Sequence, residues 1–213
     1  MKAQMKFQKW LCLAMIIVGA LALLYAFCYM SGSLSELGQS INIRPNGHES
    51  AFKAASGKND ALLYEEMQPF NTMMMYFGIA MILLAVVLYI TACNKRRNYY
   101  VTNYVATGLC AGGNIIMSVV CLIMNIHWRS EFLNVDFEAW DTFYQNRLSA
   151  QLITEADVHF GDSTAWFDLG FAVYAIVIVA SILLILNMVW KIMLMKGEKQ
   201  LLSNGVVTGG ETV

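Results

Sequence analysis

Four uncharged apolar stretches constrain this chain more than any other feature of its sequence. They run from Trp10 to Met30, Phe70 to Cys93, Tyr104 to Ile126 and Leu169 to Trp190. A helix needs about 20 apolar residues to cross a hydrocarbon core of about 30 Å. Backbone groups inside that core must bond within their own segment, so such stretches form helices. The sequence predicts an all-α integral membrane protein, a four-transmembrane-helix bundle forming a single domain over residues 1–213.

The charged residues outside the four stretches are sorted by sign. The segments before the first, between the second and third, and after the fourth carry nine cations: Lys2, Lys6, Lys9, Lys95, Arg96, Arg97, Lys191, Lys196 and Lys199. The other two loops, 31–69 and 127–168, hold thirteen of the fifteen acidic residues. Cytoplasmic segments carry the excess of Lys and Arg. We therefore expect cytoplasmic N- and C-termini, a cytoplasmic tail at 191–213 and two external acidic loops.

This plan of four spans and two external loops is similar to that of claudins, tetraspanins and connexins, but only in topology. All five cysteines lie within the predicted spans, so the loops have no disulfide framework. The claudin Trp-Gly-Leu-Trp run and the tetraspanin Cys-Cys-Gly are both missing from this sequence, as is any Asn-x-Ser/Thr sequon. A multi-pass protein of a bacterial plasma membrane is the more economical expectation.

The third span carries one stripe of small and polar residues at spacings of three and four. Its members are Asn103, Thr107, Ala111, Asn114, Ser118, Cys121 and Asn125. Amides and hydroxyls find no water in hydrocarbon and must pair across helices, so this face should point into the bundle or toward another subunit. Helix packing is the favoured interpretation. The alternative is a hydrated path lined near its middle by Asn114 and Ser118.

Glycines form a second small-residue pattern beside that stripe. Gly108 and Gly112 make a small-xxx-small pair, which lets a neighbouring helix backbone approach closely, either within the chain or in another copy. The first span has a related packing seam at spacings of three and four, made of Cys12, Met15, Gly19, Ala22 and Ala26.

The second external loop contains an apolar stripe with helical spacing. Leu133, Phe137, Trp140, Tyr144 and Leu148 recur every three or four residues. Asp136, Glu138 and Asp141 lie largely off this stripe, so the segment is predicted to be an amphipathic helix with an acidic opposite side. The stripe is our candidate external docking face for the first loop, for the bundle's outer rim or for a partner protein.

Motifs that would indicate an enzyme are missing from the sequence: HExxH, GxSxG, a phosphate-binding glycine loop and paired thiols with ligand spacing. We therefore expect no catalytic residues, no cofactor, no metal site and no nucleic-acid partner. The expected function is that of a non-enzymatic accessory or scaffolding subunit, which binds another membrane or external protein in a transport assembly. The alternative is a small oligomeric solute or ion carrier or channel. The bilayer, another membrane protein and a second copy are the expected partners, and the tail from Gly197 is expected to be a short flexible extension.

Overall fold

The computed structural model describes residues 2–28, 63–93, 100–150 and 163–208, and these residues are almost entirely helical. The helices are α1 (Lys2–Cys28), α2 (Leu63–Cys93), α3 (Tyr100–Leu133), α4 (Phe137–Ser149) and α5 (Ala165–Thr208). The described ranges contain no strand. The prediction of an all-helical protein is therefore confirmed for this part of the chain.

Four of these helices are long and apolar enough to cross a membrane. The qualifying segments are Ala3–Phe27 in α1, Glu66–Ala92 in α2, Val101–Leu133 in α3 and Ala165–Gly197 in α5. Each includes most or all of one stretch predicted from the sequence. The helices extend beyond those stretches because a charged residue ends an apolar run without breaking the hydrogen-bond pattern of a helix.

Helix α2 shows this clearly at its first turns. The sequence placed the start of the second span at Phe70, after a proline, whereas the helix begins at Leu63 and continues through Pro69. Proline inside a helix removes one backbone donor and crowds the preceding turn. Met67 and Phe70 are both buried on either side of it, and their packing holds the chain in helical form.

The amphipathic segment of the second loop differs from its prediction. Leu133 is the last residue of α3, and Asn134 to Asp136 form a turn before α4 begins. Asp136 caps α4, since its Oδ1 accepts the Ala139 backbone N–H at 3.0 Å. The predicted stripe from Leu133 to Leu148 is therefore wrong as one continuous helix face. The spacing of apolar residues gave no indication that Asp136 would cap and so begin a separate helix.

The C-terminal segment is also more ordered than expected. Helix α5 continues past Gly197 to Thr208, so the expectation of a flexible extension is wrong for residues 197–208. Met193, Met195, Leu201 and Leu202 are good helix formers, and the single glycine among them does not end the helix.

The chain divides into two compact units. Unit one comprises Met1–Ala20, Ala80–Ser118 and Ile176–Val213, and unit two comprises Leu21–Ile79 and Val119–Ala175. Helices α1, α2, α3 and α5 contribute to both, and α4 belongs to unit two. The apolar core of unit one includes nine buried residues: Leu11, Cys12, Met15, Ala85, Leu88, Ala106, Cys110, Ala111 and Leu184.

Unit two has an aromatic core. Tyr25 and Tyr174 meet edge to face with their ring centroids 6.0 Å apart. Phe132 contacts Phe167 at 5.5 Å and Phe137 at 5.3 Å between centroids. Such aromatic pairs add about 0.5–1.5 kcal/mol each beyond the area that they bury. The contact of Phe137 with Phe132 therefore fixes the start of α4 against α3.

Several sequence expectations lie outside the described residues. They include most of the predicted loop 31–69, the basic segment 94–99, residues 151–162 of the second predicted loop and the last five residues.

Candidate functional site

The small and polar stripe of α3 is buried along its whole length. In unit one Asn103 is 3% exposed, Thr107 2%, Asn114 1% and Ser118 0%, and in unit two Asn125 is 0% exposed. Its two small members, Ala111 and Cys121, are likewise buried. The stripe's polar groups meet three different environments along α3, and Asn125 Oδ1 at one end has no hydrogen-bond partner among the described residues.

Asn103 is the centre of a hydrogen-bond network in unit one. Its Oδ1 accepts from Gln8 Nε2 at 2.9 Å and from Lys191 Nζ at 2.7 Å. Its Nδ2 donates to Thr91 Oγ1 at 3.1 Å. One amide therefore bonds to side chains from α1, α2 and α5. Because Asn103 itself lies on α3, the network joins all four helix segments of this unit.

Lys191 is the member that the sequence patterns missed. The positive-inside rule treats it as a flanking cation, but its side chain is only 7% exposed. Its Nζ contacts Asn103 and lies 5.0 Å from the centre of the Tyr104 ring. The ring face attracts a cation, and the Tyr104 hydroxyl contacts Met195 Sδ at 2.9 Å. Lys191 is thus a structural cation within the packed end of unit one.

The network extends along α1 through two glutamines. Gln4 Nε2 contacts Asn187 Oδ1 at 3.3 Å and Gln8 Oε1 at 3.4 Å. Both glutamines are buried, at 0% and 4% exposure. A signal for them does exist in the sequence. The packing seam of the first span, continued backwards from Cys12 in steps of four, passes through Gln8 and Gln4.

The middle of the stripe has a different character. Asn114 Oδ1 and Ser118 Oγ are buried and have no hydrogen-bond partner among the described residues. Asn114 Nδ2 makes only a long contact of 3.8 Å with Cys110 Sγ. Residues four apart on a helix are neighbours on one face. This one-turn segment of α3 therefore carries two unsatisfied polar atoms in the interior of unit one.

At the other end, in unit two, the stripe bonds to backbone. Asn125 Nδ2 donates to the Phe167 carbonyl at 2.8 Å, and the Tyr25 hydroxyl donates to the Trp166 carbonyl at 2.9 Å. Both acceptors belong to the first turn of α5. Gly170 makes this approach possible, since a Cβ there would collide with the Tyr25 hydroxyl and lie 3.1 Å from Asn125 Nδ2.

The glycine pair Gly108 and Gly112 has open space where a side chain would lie, although Gly112 itself is half-buried. Apart from its chain neighbours and the nearby backbone of α3, a Cβ at either position would meet no described atom within 4 Å. Gly108 is exposed, and the residues around it are large and exposed too: Val105 at 55%, Leu109 at 61% and Ile116 at 66%. This is an outward face of α3, which we call the glycine face. Close packing of this pair against another helix is therefore not found among the described residues.

The candidate external docking face is divided. Leu133 is 54% exposed at the end of α3, while Phe137 and Leu148 are half-buried on α4. The side chains of Trp140 and Tyr144 lie outside what the structure describes. Phe143, which is off the predicted stripe, is buried at 8% exposure. Phe137 and Phe143 therefore anchor α4 on unit two, and the docking role of this face remains a prediction.

The arrangement offers polar pairing and packing surfaces. Among the described residues no group of three His, Cys, Asp or Glu side chains is placed to hold a metal ion, and Cys12, Cys110 and Cys121 are buried and form no disulfide with one another. The chain matches no family model and is detectably similar to no curated protein and to no solved structure.

Proposed function

We propose that this chain is a non-enzymatic accessory subunit whose glycine face binds a transmembrane helix of another membrane protein. The observation that carries the proposal is the open space at Gly108 and Gly112. Small residues let helix backbones approach closely, and lipid-embedded helices associate through such contacts. Inside this chain the pair packs against nothing described, so a second helix is the structure that could use it.

The surroundings of the pair define the partner's chemistry. Val105, Leu109 and Ile116 are apolar and exposed, and no charged residue occurs between Tyr100 and Ile126. An uncharged apolar transmembrane helix is the occupant that fits, and in our proposal that helix belongs to a different protein. The polar groups of Asn103 are already paired internally, which leaves the glycine face as the contact surface on this part of α3.

The test is gentle-detergent affinity purification with mass spectrometry of the native membrane, using three variants. Gly108→Leu and Gly112→Leu each place a large side chain in the proposed contact, while Gly197→Leu is the matched control because Gly197 also has open space around it. We expect a stoichiometric membrane protein with wild type and with Gly197→Leu, and its loss with the other two. Equal recovery from all four chains would contradict the proposal, and recovery of the chain alone would favour self-association.

A second candidate function is a small oligomeric solute or ion carrier. It is favoured by the unsatisfied Asn114 Oδ1 and Ser118 Oγ, since an unpaired buried polar group costs about 1–3 kcal/mol. A passing water or solute would satisfy both atoms. Reconstituted flux should then disappear in Asn114→Leu while assembly persists. If the wild-type protein shows no flux and Asn114→Leu prevents assembly, Asn114 has a packing role.

We also propose the orientation with both termini in the cytoplasm of a bacterial plasma membrane, because the cations cluster in the terminal segments and the 94–99 turn. Reporter fusions test it. A C-terminal fluorescent protein should fold and fluoresce, whereas a C-terminal alkaline phosphatase should be inactive; the opposite pair of results would reverse the orientation.

A further inference from the structure

A cleft on unit one combines two cations with an apolar wall. It has a volume of about 220 Å³ and is lined by Lys6, Lys9, Trp10 and Leu13 of α1 and by Tyr89 of α2. We call it the basic cleft. Residues 6, 9, 10 and 13 are three or four apart and so share one face of α1. All five belong to unit one.

The charge of the basic cleft is unbalanced. None of its five lining residues is acidic, and α1 carries no Asp or Glu over its whole length. Lys6 and Lys9 are exposed, so their charges can meet a ligand from outside the chain. An anionic group is therefore the electrostatic complement of the cleft.

The apolar wall indicates what that anionic group is attached to. Trp10 is 64% exposed, Leu13 44% and Tyr89 41%. Lys6 and Lys9 precede the apolar run of the first span, and Tyr89 lies near the last turn of α2. Trp and Tyr concentrate where a helix leaves the hydrocarbon for the headgroup layer. The cleft thus joins a charged region to a surface that suits an acyl chain.

Its size favours part of a molecule over a whole soluble ligand. Sites that enclose small solutes have volumes of about 300–1,000 Å³, and this cleft is smaller and open. It can take a headgroup phosphate while the attached chain lies along Leu13. An acidic peptide would match the lysines but would gain less from the exposed apolar wall.

We infer that the basic cleft is a binding site for an anionic phospholipid, with its phosphate on Lys6 and Lys9 and its upper acyl chain on Trp10 and Leu13. Basic pockets between membrane helices bind anionic headgroups in this way. The inference rests on α1 and α2, so it does not depend on the glycine face of α3 or on its partner.

The test is native mass spectrometry of the full chain in neutral detergent, titrated with phosphatidylglycerol or with phosphatidylcholine. A lysine near an anionic headgroup contributes about 1 kcal/mol, which corresponds to about fivefold in affinity. We expect preferential retention of phosphatidylglycerol, weakened about fivefold by Lys6→Gln or Lys9→Gln. The double variant should weaken the affinity for phosphatidylglycerol about twentyfold or more. Lys6→Arg, which keeps the positive charge, should bind this lipid nearly as well as wild type.

The matched control is Lys196→Gln, which removes one exposed cation of α5 that does not line the cleft. Retention should change less than twofold. A loss as large as that of Lys6→Gln would mean diffuse attraction and would overturn the site, as would equal retention of the two lipids. Displacement of the lipid by an equal concentration of soluble glycerol phosphate or of an acidic peptide would overturn the lipid assignment. Unchanged circular dichroism would show that each variant folds.

Discussion

The two units differ in how buried polar side chains bond from one helix to another. In unit one, Asn103, Gln8 and Lys191 bond side chain to side chain. In unit two, Tyr25 and Asn125 bond to backbone carbonyls of α5. A backbone acceptor cannot be removed by substitution, whereas a side-chain acceptor can. Substitution should therefore destabilise unit one most at Asn103, the centre of its hydrogen-bond network. It should destabilise unit two most at the small residues that let helices and side chains approach one another.

The largest effect is expected for Asn103→Leu. It leaves Gln8 Nε2 and Thr91 Oγ1 without their Asn103 partner and takes the Oδ1 contact from the buried Lys191. Unsatisfied buried groups cost about 1–3 kcal/mol each and more when charged, so we expect a loss of about 3 kcal/mol or more. Thermal unfolding in detergent, followed by circular dichroism, measures it.

The matched control is Asn114→Leu on the same helix face. Asn114 Oδ1 has no described partner, so its replacement should cost less than about 1 kcal/mol, since little net hydrogen bonding is lost. Asn103→Asp should retain most stability because a carboxylate still accepts from Lys191 and Gln8. Equal losses for Asn103→Leu and Asn114→Leu would show that the network is not the polar centre of unit one.

In unit two, Gly78→Ala should have the next largest effect. A Cβ at Gly78 would lie 2.8 Å from the Leu23 Cα and 2.9 Å from its backbone nitrogen. Backbone cannot rotate away as a side chain can, so α1 and α2 must separate locally. Overpacking of this kind costs about 1–3 kcal/mol, and we expect the upper half of that range in the unfolding midpoint analysis. A neutral result would show that this close approach carries no stability.

Gly170→Ala should cost somewhat less, about 1–2 kcal/mol, because it collides with a side chain. The obstacle is the hydroxyl end of Tyr25, which is 3% exposed and bonded to the Trp166 carbonyl. Adding Tyr25→Phe removes the nearest colliding atom and leaves the ring carbon Cζ, 2.8 Å from the added Cβ, as the remaining obstacle. The double variant should therefore lose less unfolding free energy than the two single variants lose in sum. Strict additivity of the two losses would argue against a collision.

Gly108→Ala tests a glycine with open space beside it, in contrast to the closely packed Gly78 and Gly170. It has open space, and alanine is favoured over glycine in a helix interior by about 1 kcal/mol. We expect a small gain of about 0.5–1 kcal/mol in the isolated protein. A loss of stability comparable to that of Gly78→Ala would mean that the glycine face is packed within the chain, contrary to the distinction between open and packed glycines.

The sequence predicted the helical class and the four spans because hydropathy over about 20 residues reports directly on what lipid tolerates. It also singled out the α3 stripe, since spacing of three and four identifies one helix face. It missed Lys191 and Gln4 because hydropathy counts polar residues as outside the membrane, regardless of whether a partner such as Asn103 is within reach. It also could not tell Gly78 from Gly108, because helical spacing says nothing about which neighbour stands opposite.

The ion pair between Arg129 and Asp168 should have the smallest effect. The two side chains of unit two are 36% and 56% exposed, with Arg129 Nε 3.3 Å from Asp168 Oδ1. Exposed pairs contribute about 0.2–1 kcal/mol. A double-mutant cycle with Arg129→Gln and Asp168→Asn should give a coupling below about 1 kcal/mol, and salt at about 1 M should reduce it further by screening. A coupling well above this, unaffected by salt, would mean that unit two depends on a side-chain pair as unit one does. The contrast between the units would then be wrong, because solvent should weaken this exposed charge pair more than any buried pair in unit one.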